Sequence, residues 1–516
     1  MTDALLAPTS PLDGKPLAPE VRAAPVDTIP ALAKAAAEAQ RAWAARPMAE
    51  RIDAVAKVKR RILERAAEIG ELVHREVGKP VEEALLAEVL PNADLVDYWC
   101  DSIEELCESR PVALDALSYP GKDGRIHQEP RGVVALVTPW NYPVAIPLRT
   151  LVPALLAGNA VLFKPSEHSP RAGALVASLF EGVLPPAVLT LVQGGAEVGR
   201  ALVEAPEVAL VVFTGSVATG RAIAHACAER LIPSSLELGG KDAAIVLADC
   251  KLERAAQGVV WAAFTNAGQN CAGVERVYVE RKIADAFSDR VVAVTKSLVR
   301  GRDTAVLTTA AQRDKVRAHL EEAVAAGGEL LVGGAPEDPG SLAFPPTVVR
   351  LDARKHAGCR LLREETFGPI LPIVAVDDAD DAVALANESD YALTTSVWTA
   401  RVERGAALAR ALRSGVVTVN NHAFTAALPA APWTGAGATG YGVTNSPHAL
   451  HALTRPRFVL EDRNRAAREL WWYPYTPVLR TIALAMAALR GGAGLVGRLV
   501  ALFRLLGALP KRLLGG

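Results

Sequence analysis

The chain has 516 residues, half of them apolar, with 56 basic against 57 acidic side chains. That length allows two or three domains with sizeable cores, and the charge balance argues against a nucleic-acid binder, which carries a basic excess over its body. Six cysteines (100, 107, 227, 250, 271 and 359) lie scattered without a C-x-x-C pair, and nine histidines show no ligand spacing. A reducing compartment is therefore expected, with no disulfide framework and no metal.

The opening MTDALLAPTSPLDGKP carries an early acid and several prolines, without the long apolar run of a signal peptide, so a cytoplasmic body is expected. Residues 30 to 78 read as helices, because Ile52, Val55, Ile62, Ile69 and Val73 recur at helical spacing among charges. Helical patterning continues to about Cys107, and a strand-like stretch follows at 124 to 130. Beyond it, short apolar runs alternate with helical segments. Strands are predicted at Val133 to Val137, Ala160 to Phe163, Leu189 to Val192 and Val208 to Phe213, with helices after Pro143, over 168 to 182, and from about 197 and 216. A second alternating block spans about 240 to 425, with strand candidates at Ala244 to Leu247, Arg276 to Val279, Ile370 to Val374 and Gly415 to Val419. The βαβ alternation predicts an α/β protein with two doubly wound, parallel sheets.

The end of the chain differs in character. From Leu470 to Gly516 six basic residues (Arg480, Arg490, Arg498, Arg504, Lys511, Arg512) stand without a single acid, which leaves −7 on the preceding 469 residues. Its uncharged stretches are too short to span a bilayer, which takes about 20 residues. On an ideal helix at roughly 100° per residue the six bases share an arc of roughly 140°, opposite an apolar face. That pattern predicts an interfacial helix on an anionic membrane, broken by Gly491, Gly492, Gly494, Gly497 and Pro510; packing over the protein's own body or a neighbouring subunit is the alternative.

Chemistry concentrates at the predicted strand ends. Cys271 sits in a loop of small residues, Asn266-Ala267-Gly268-Gln269-Asn270-Cys271-Ala272-Gly273, and 34 residues upstream stands Leu236-Glu237-Leu238-Gly239-Gly240-Lys241. A thiolate nucleophile and a carboxylate that activates water are the chemistry such a pair offers. The junction Thr138-Pro139-Trp140-Asn141-Tyr142-Pro143 supplies an amide donor suited to an oxyanion. Phe163-Lys164-Pro165-Ser166-Glu167 suits ribose hydroxyls, and the Glu167 charge disfavours a 2′-phosphate, hence NAD over NADP. Phe213-Thr214-Gly215-Ser216-Val217-Ala218-Thr219-Gly220 offers a capped helix N-terminus for a pyrophosphate, without the G-x-G-x-x-G fingerprint. Arg363-Glu364-Glu365-Thr366-Phe367-Gly368-Pro369 places an acidic pair and an aromatic before a strand. Singly, each motif also fits a plain turn, a solvated loop or a capped helix.

In this order the six motifs resemble the aldehyde dehydrogenase superfamily, over roughly residues 20 to 460. The resemblance implies a Cys271 thiohemiacetal and thioester, an oxyanion hole from the Asn141 side chain and the Cys271 amide, and hydrolysis with Glu237 as base. It implies NAD contacts from Thr138, Trp140, Lys164, Glu167, Gly195, Gly215, Ser216, Gly220, Gly239, Glu365 and Phe367. It also implies a cofactor domain (1–110 and 131–239), a catalytic domain (240–436), an oligomerisation element (111–130 and 437–462) that makes homodimers or homotetramers, and an added tail (463–516). Coenzyme A-dependent relatives usually lack the glutamate, so release of the free acid is expected. Two departures stand out: Ala243 where the family has proline, and Pro432-Trp433-Thr434-Gly435 where it has Pro-Phe-Gly-Gly followed by lysine. Tyr142, His422 and Trp433 are candidates to line the aldehyde tunnel. A medium or long aliphatic aldehyde is the leading substrate; a semialdehyde or aromatic aldehyde, or an inactive NAD-binding scaffold, are the alternatives.

Overall fold

The strand Val133–Val137 sits at the middle of a five-stranded sheet whose order runs 189–191, 160–164, 133–137, 208–214, 234–237, all parallel. Both faces of this sheet are covered, which is why its strands are continuous apolar runs rather than alternating ones. Val134, Leu136, Val161 and Phe163 pack under the helices Met48–Glu64, Ala66–Val77 and Leu90–Cys107, while Val133, Ala135 and Leu162 meet Ile29, Ala33 and Leu202 on the other face. This computed structural model describes residues 5–115, 118–465, 467–492 and 494–513. The parts of the expected N-terminal, oligomerisation and tail segments at 1–4, 116–117, 466, 493 and 514–516 lie outside them.

The second sheet has seven strands in the order 329–332, 347–351, 370–376, 274–280, 242–246, 394–398, 416–419, parallel except for the antiparallel edge strand Glu329–Val332. Its alternate side chains again feed two cores, Ala243, Ile245 and Leu247 on one face and Ala244 and Val246 on the other. Two doubly wound α/β sheets are thus present as the alternation predicts. The helix predicted at 168–182 is shorter, Pro170–Ser178, because Pro170 opens it and the chain turns off before Gly182, which is left-handed.

The chain divides into two compact units, Met1–Glu108 with Gln128–Pro456, and Ser109–His127 with Arg457–Gly516. The first holds both large sheets. A three-stranded sheet orders the strands 454–462, 122–130 and 110–112, with the first of these at its edge. In the second unit Lys122 pairs with Asp462 at 2.9 Å and Glu469 at 2.6 Å. The break expected at Gly491 is present. Gly491, at φ 120°, divides the segment into helices Pro477–Ala487 and Leu495–Leu513, so the bases no longer share one helical arc. The second helix runs through Pro510 instead of stopping there, and Arg512 is fully buried. Among the described residues no helix is long and apolar enough to cross a membrane.

Candidate active site

At the carboxyl ends of strands 133–137, 160–164 and 208–214 lies a cavity of about 680 Å³, between the helices Ala196–Glu204 and Val217–Glu229. Strand ends at a change of winding direction are where ligands of parallel sheets gather. Thr138, Lys164, Glu167, Gly195 and Gly215 line it, while Ser216 caps the second helix, accepting the Thr219 N–H at 3.3 Å. The Lys164 ammonium, 3.6 Å from Glu167, is buried enough that its pKa is pulled down despite that partner. The Thr138 hydroxyl is buried there without a hydrogen-bond partner. An orphaned hydroxyl, a buried cation and a cavity of dinucleotide scale fit NAD or NADP. Gly220 contributes packing: a Cβ would come within 2.4 Å of the Leu238 side chain, which would have to move to admit it.

Beyond this cavity the Glu365 carboxylate lies over the Gly239-Gly240 turn. It accepts the Gly240 N–H at 2.9 Å, and a Cβ on Gly239 would come within 2.6 Å of it. Burial, then the nearby Glu275, lift the Glu365 pKa to about 7. Phe367 adopts a left-handed backbone (φ 54°), uncommon for a bulky residue, and is held in it by Glu275, which accepts its N–H at 2.7 Å. Its ring meets Trp140 edge-on, centroids 5.8 Å apart.

Cys271 lines a second cavity of about 200 Å³ with Tyr142, Arg149, Asn270 and Trp433, walled by Leu86, Pro91, Ile146, Trp261 and Phe424. The loop before it is bent by left-handed Asn266 and Ala267 and closed by Asn270, whose Oδ1 accepts the Ala272 N–H at 3.0 Å. Among the described residues no protein acceptor takes the Cys271 N–H. Burial, then the Asp242, Glu237 and Glu365 carboxylates, push the Cys271 thiol up to about 12, with Arg149 opposing. The free site therefore holds a thiol rather than a standing thiolate. Glu237 ends the edge strand Ser234–Glu237, flanked by residues 439–442, whose Gly442 N–H reaches Leu236 O at 2.7 Å. Its carboxyl is lifted by burial to about 7, opposed by the Thr444 hydroxyl, Arg149 and the Thr444 amide. Its Oε1 is buried with no hydrogen-bond partner, an acceptor left ready for a proton or a water.

Asn141 is positioned from three sides. Its Nδ2 donates to Gln269 O at 3.1 Å, and its carbonyl accepts from Asn266 Nδ2 at 3.0 Å and Lys79 Nζ at 3.1 Å. Lys79 also pairs with Glu88 at 2.7 Å, both side chains wholly buried, and Glu88 Oε2 accepts the Val144 and Ala145 N–H groups that open the next helix. The same ammonium stands 3.7 Å from the centre of the Tyr142 ring.

Of the three tunnel candidates, Tyr142 and Trp433 line the Cys271 cavity and His422 does not. His422 lies behind the loop, its Nε2 donating to Ala272 O at 3.0 Å, and burial lowers its pKa to about 4, so it acts as a neutral prop. Sequence reasoning missed Arg149, Thr444 and the Lys79–Glu88 pair. Arg149 occupies an ordinary helix position, Ala145–Leu156, and only the fold turns it toward Cys271 and Glu237.

Residues 3–459 match the model of the Aldehyde dehydrogenase family. The chain is 35% identical over 484 residues to 4,4'-diapolycopene aldehyde oxidase of Methylomonas sp, covering 91% of this chain and 88% of that one. It superposes at TM-score 0.83 and 29% identity on a Mycobacterium tuberculosis aldehyde dehydrogenase complexed with NAD+, covering 89% of this chain and 95% of that one. A Bacillus halodurans NADP-dependent glyceraldehyde-3-phosphate dehydrogenase complexed with NADP gives the same score and identity, covering 89% and 96%. The chain belongs to the aldehyde dehydrogenase family, NAD(P)-dependent oxidoreductases acting on the aldehyde group.

Proposed function

We propose that the protein oxidises a medium or long aliphatic aldehyde to the free carboxylic acid with NAD, through a thioester on Cys271. The observation that supports this most is the Cys271 thiol at an apolar cavity, electrostatically coupled to Glu237 and adjoining the Asn141 turn. The thiol gives up its proton as its sulfur adds to the carbonyl carbon, and Glu237, ionised above about 7, is the base to receive it. The second Nδ2 hydrogen of Asn141 and the Cys271 N–H stabilise the resulting oxyanion. Bound cofactor supplies the hydride acceptor that converts thiohemiacetal to thioester. Glu237 releases the thiol proton to solvent, then takes one from water as the water oxygen attacks the thioester. The C–S bond breaks, the Cys271 sulfur leaves and recovers a proton from Glu237, and the free acid departs.

Lys164 and Glu167 hold the adenosine ribose in this reading, Gly215 and Ser216 the pyrophosphate, with Gly220 keeping the helix close and Gly195 and Thr138 walling the site. Trp140, Glu365 and Phe367 orient the nicotinamide end beside Gly239. The five-stranded sheet serves as cofactor domain and the seven-stranded sheet as catalytic domain. The edge strand 454–462, exposed from Arg455 to Asp462, suits assembly into a homodimer or homotetramer. Residues 470–516 rest on an anionic membrane surface, from a cytoplasmic body, where apolar aldehydes collect.

A second reading comes from Arg149. No carboxylate among the described residues pairs with it directly. A cation at the wall of the cavity could take the far carboxylate of a semialdehyde. A panel of straight-chain aldehydes of graded length, with succinate semialdehyde and benzaldehyde, read as NADH formation, separates these. The proposal expects kcat/KM to climb with chain length and to vanish in Cys271→Ala. A clear preference for the semialdehyde would reject the aliphatic reading.

A further inference from the structure

The second compact unit carries an apolar surface that its own fold does not use. The helices Pro477–Ala487 and Leu495–Leu513 pack on one another through Ile482, Ala485, Ala501, Leu505 and Ala508. Arg512 closes the pair from inside, donating to the carbonyls of Leu470 (3.3 Å), Trp472 and Pro474 (3.0 Å), which fixes the aromatic stretch 471–475. Arg490 is engaged with Ser118 and lies 3.8 Å from Asp115. The seam is therefore complete without the far side of the long helix.

That far side is apolar and open. Taking roughly 100° per residue, Leu495, Val496, Leu499, Val500, Phe503 and Leu506 form one ridge opposite the seam residues Ala501, Leu505 and Ala508. Leu495 is 80% exposed and Phe503 73% exposed, values that a monomer in water ordinarily avoids over a contiguous face. Arg498 borders one flank of the ridge, and Arg504 and Lys511 the other. Long basic side chains on both flanks of an apolar ridge can reach outward to phosphates while the ridge between them enters hydrocarbon.

We propose that this ridge is the face by which the protein lies on an anionic lipid bilayer, with the Leu495–Leu513 helix in the plane of the interface and its basic flanks on the headgroups. The inference rests on the membrane reading of residues 470–516 above and is independent of the aldehyde chemistry. Charge selects the bilayer over a second copy of the chain. A two-fold interface would set this surface against itself, and from Leu470 to Gly516 there is no acid to answer its bases. Anionic headgroups supply the missing charge, and each base near the surface adds to the attraction.

The test uses the full-length protein and sedimentation with phosphatidylcholine vesicles made with and without phosphatidylglycerol. Wild type is expected to sediment with the anionic vesicles only, and less so as salt rises. Phe503→Glu and Leu499→Glu, both on an exposed surface, should each weaken binding by about tenfold or more while turnover of a short soluble aldehyde is unchanged. Wild-type binding that survives both substitutions would overturn the ridge and leave the membrane reading standing. No binding by wild type would overturn both. A change of oligomeric mass in Phe503→Glu, measured by light scattering, would assign the face to contacts between copies and reject the proposal.

Discussion

The Lys79 ammonium donates to the main-chain oxygen of Asn141 at 3.1 Å while paired with the buried Glu88 carboxylate at 2.7 Å. Two residues that carry no chemistry of their own thus hold the turn that bears the oxyanion donor. In Lys79→Met the Glu88 carboxylate would be left buried without its cation, a loss of about 3–5 kcal/mol. Denaturant unfolding should show that loss, and kcat should fall because the Asn141 turn is no longer tied. In the double variant Lys79→Met/Glu88→Gln the stability should return in part and kcat should not.

Glu237 combines a lifted pKa with an unpartnered oxygen. Glu237→Gln should slow both half-reactions, hydrolysis the more, giving a slowed burst of NADH that approaches one equivalent per active site and then very slow turnover. Stopped-flow absorbance checks this, and undiminished steady-state turnover would remove Glu237 from the mechanism. In wild type the deacylation rate should rise with pH through about 7, where Glu237 ionises. The stability effect has the opposite sign. A carboxyl raised from 4.5 to about 7 favours the folded state below 4.5, and that contribution is lost as pH climbs through 7. Glu237→Gln should therefore unfold at about the same temperature as wild type well below pH 4.5 and at a higher one at pH 8.

Arg149 lies where it acts on Glu237 and Cys271 at once, lowering the pKa of both against burial. Removing its charge in Arg149→Met should raise the Glu237 pKa and move the rising limb of the pH–rate profile to higher pH. Arg149→Lys should move it most of the way back. A role in shape alone would lower kcat equally at every pH, and pH–rate profiles of the three proteins distinguish the cases.

What could be seen in the sequence follows from how local each feature is. The strand 133–137 is a continuous apolar run buried on both faces, so its register needs no partner to be recognised. Glu237 and Asn141 sit in short motifs at the carboxyl end of a strand, and Cys271 in a loop of small residues just before one, so local chain geometry brings them out. Arg149 and Thr444 were hidden because neither stands in such a motif. One lies within a helix, and the other lies over 200 residues from Glu237 and reaches it through the paired segment 439–442. His422 was misjudged because a histidine near a site looks the same in sequence whether it faces the cavity or props the loop behind it. In the tail the break at Gly491 is legible from the glycine itself, whereas the run of the second helix through Gly497 and Pro510 is not, because it rests on packing against the first.

Cofactor choice should answer to one charge. Glu167 is partly exposed at the rim of the larger cavity, 3.6 Å from Lys164, where a 2′-phosphate would meet a carboxylate. Glu167→Gln removes the repulsion and frees Lys164 for the phosphate. The kcat/KM ratio for NADP over NAD should rise by about tenfold or more, mostly through the KM for NADP. An unchanged ratio would mean that the adenosine ribose binds elsewhere along the cavity.

Gly240 offers the sharpest steric test of the site. A Cβ there would stand 2.3 Å from the Cys271 carbonyl oxygen, a backbone atom that cannot swing aside. Gly240→Ala must displace the loop that carries the thiol, and a shift of that kind at a reacting centre costs about a hundredfold in rate. Gly220→Ala presses instead on the flexible Leu238 side chain, so it should cost activity less. The expected pattern is a collapse of kcat and altered alkylation of Cys271 by iodoacetamide in Gly240→Ala, with Gly220→Ala intermediate in both. Near-normal kcat in Gly240→Ala would show that the loop can move without harm, and that the Cys271 N–H is not the fixed oxyanion donor that its lack of a protein acceptor suggests.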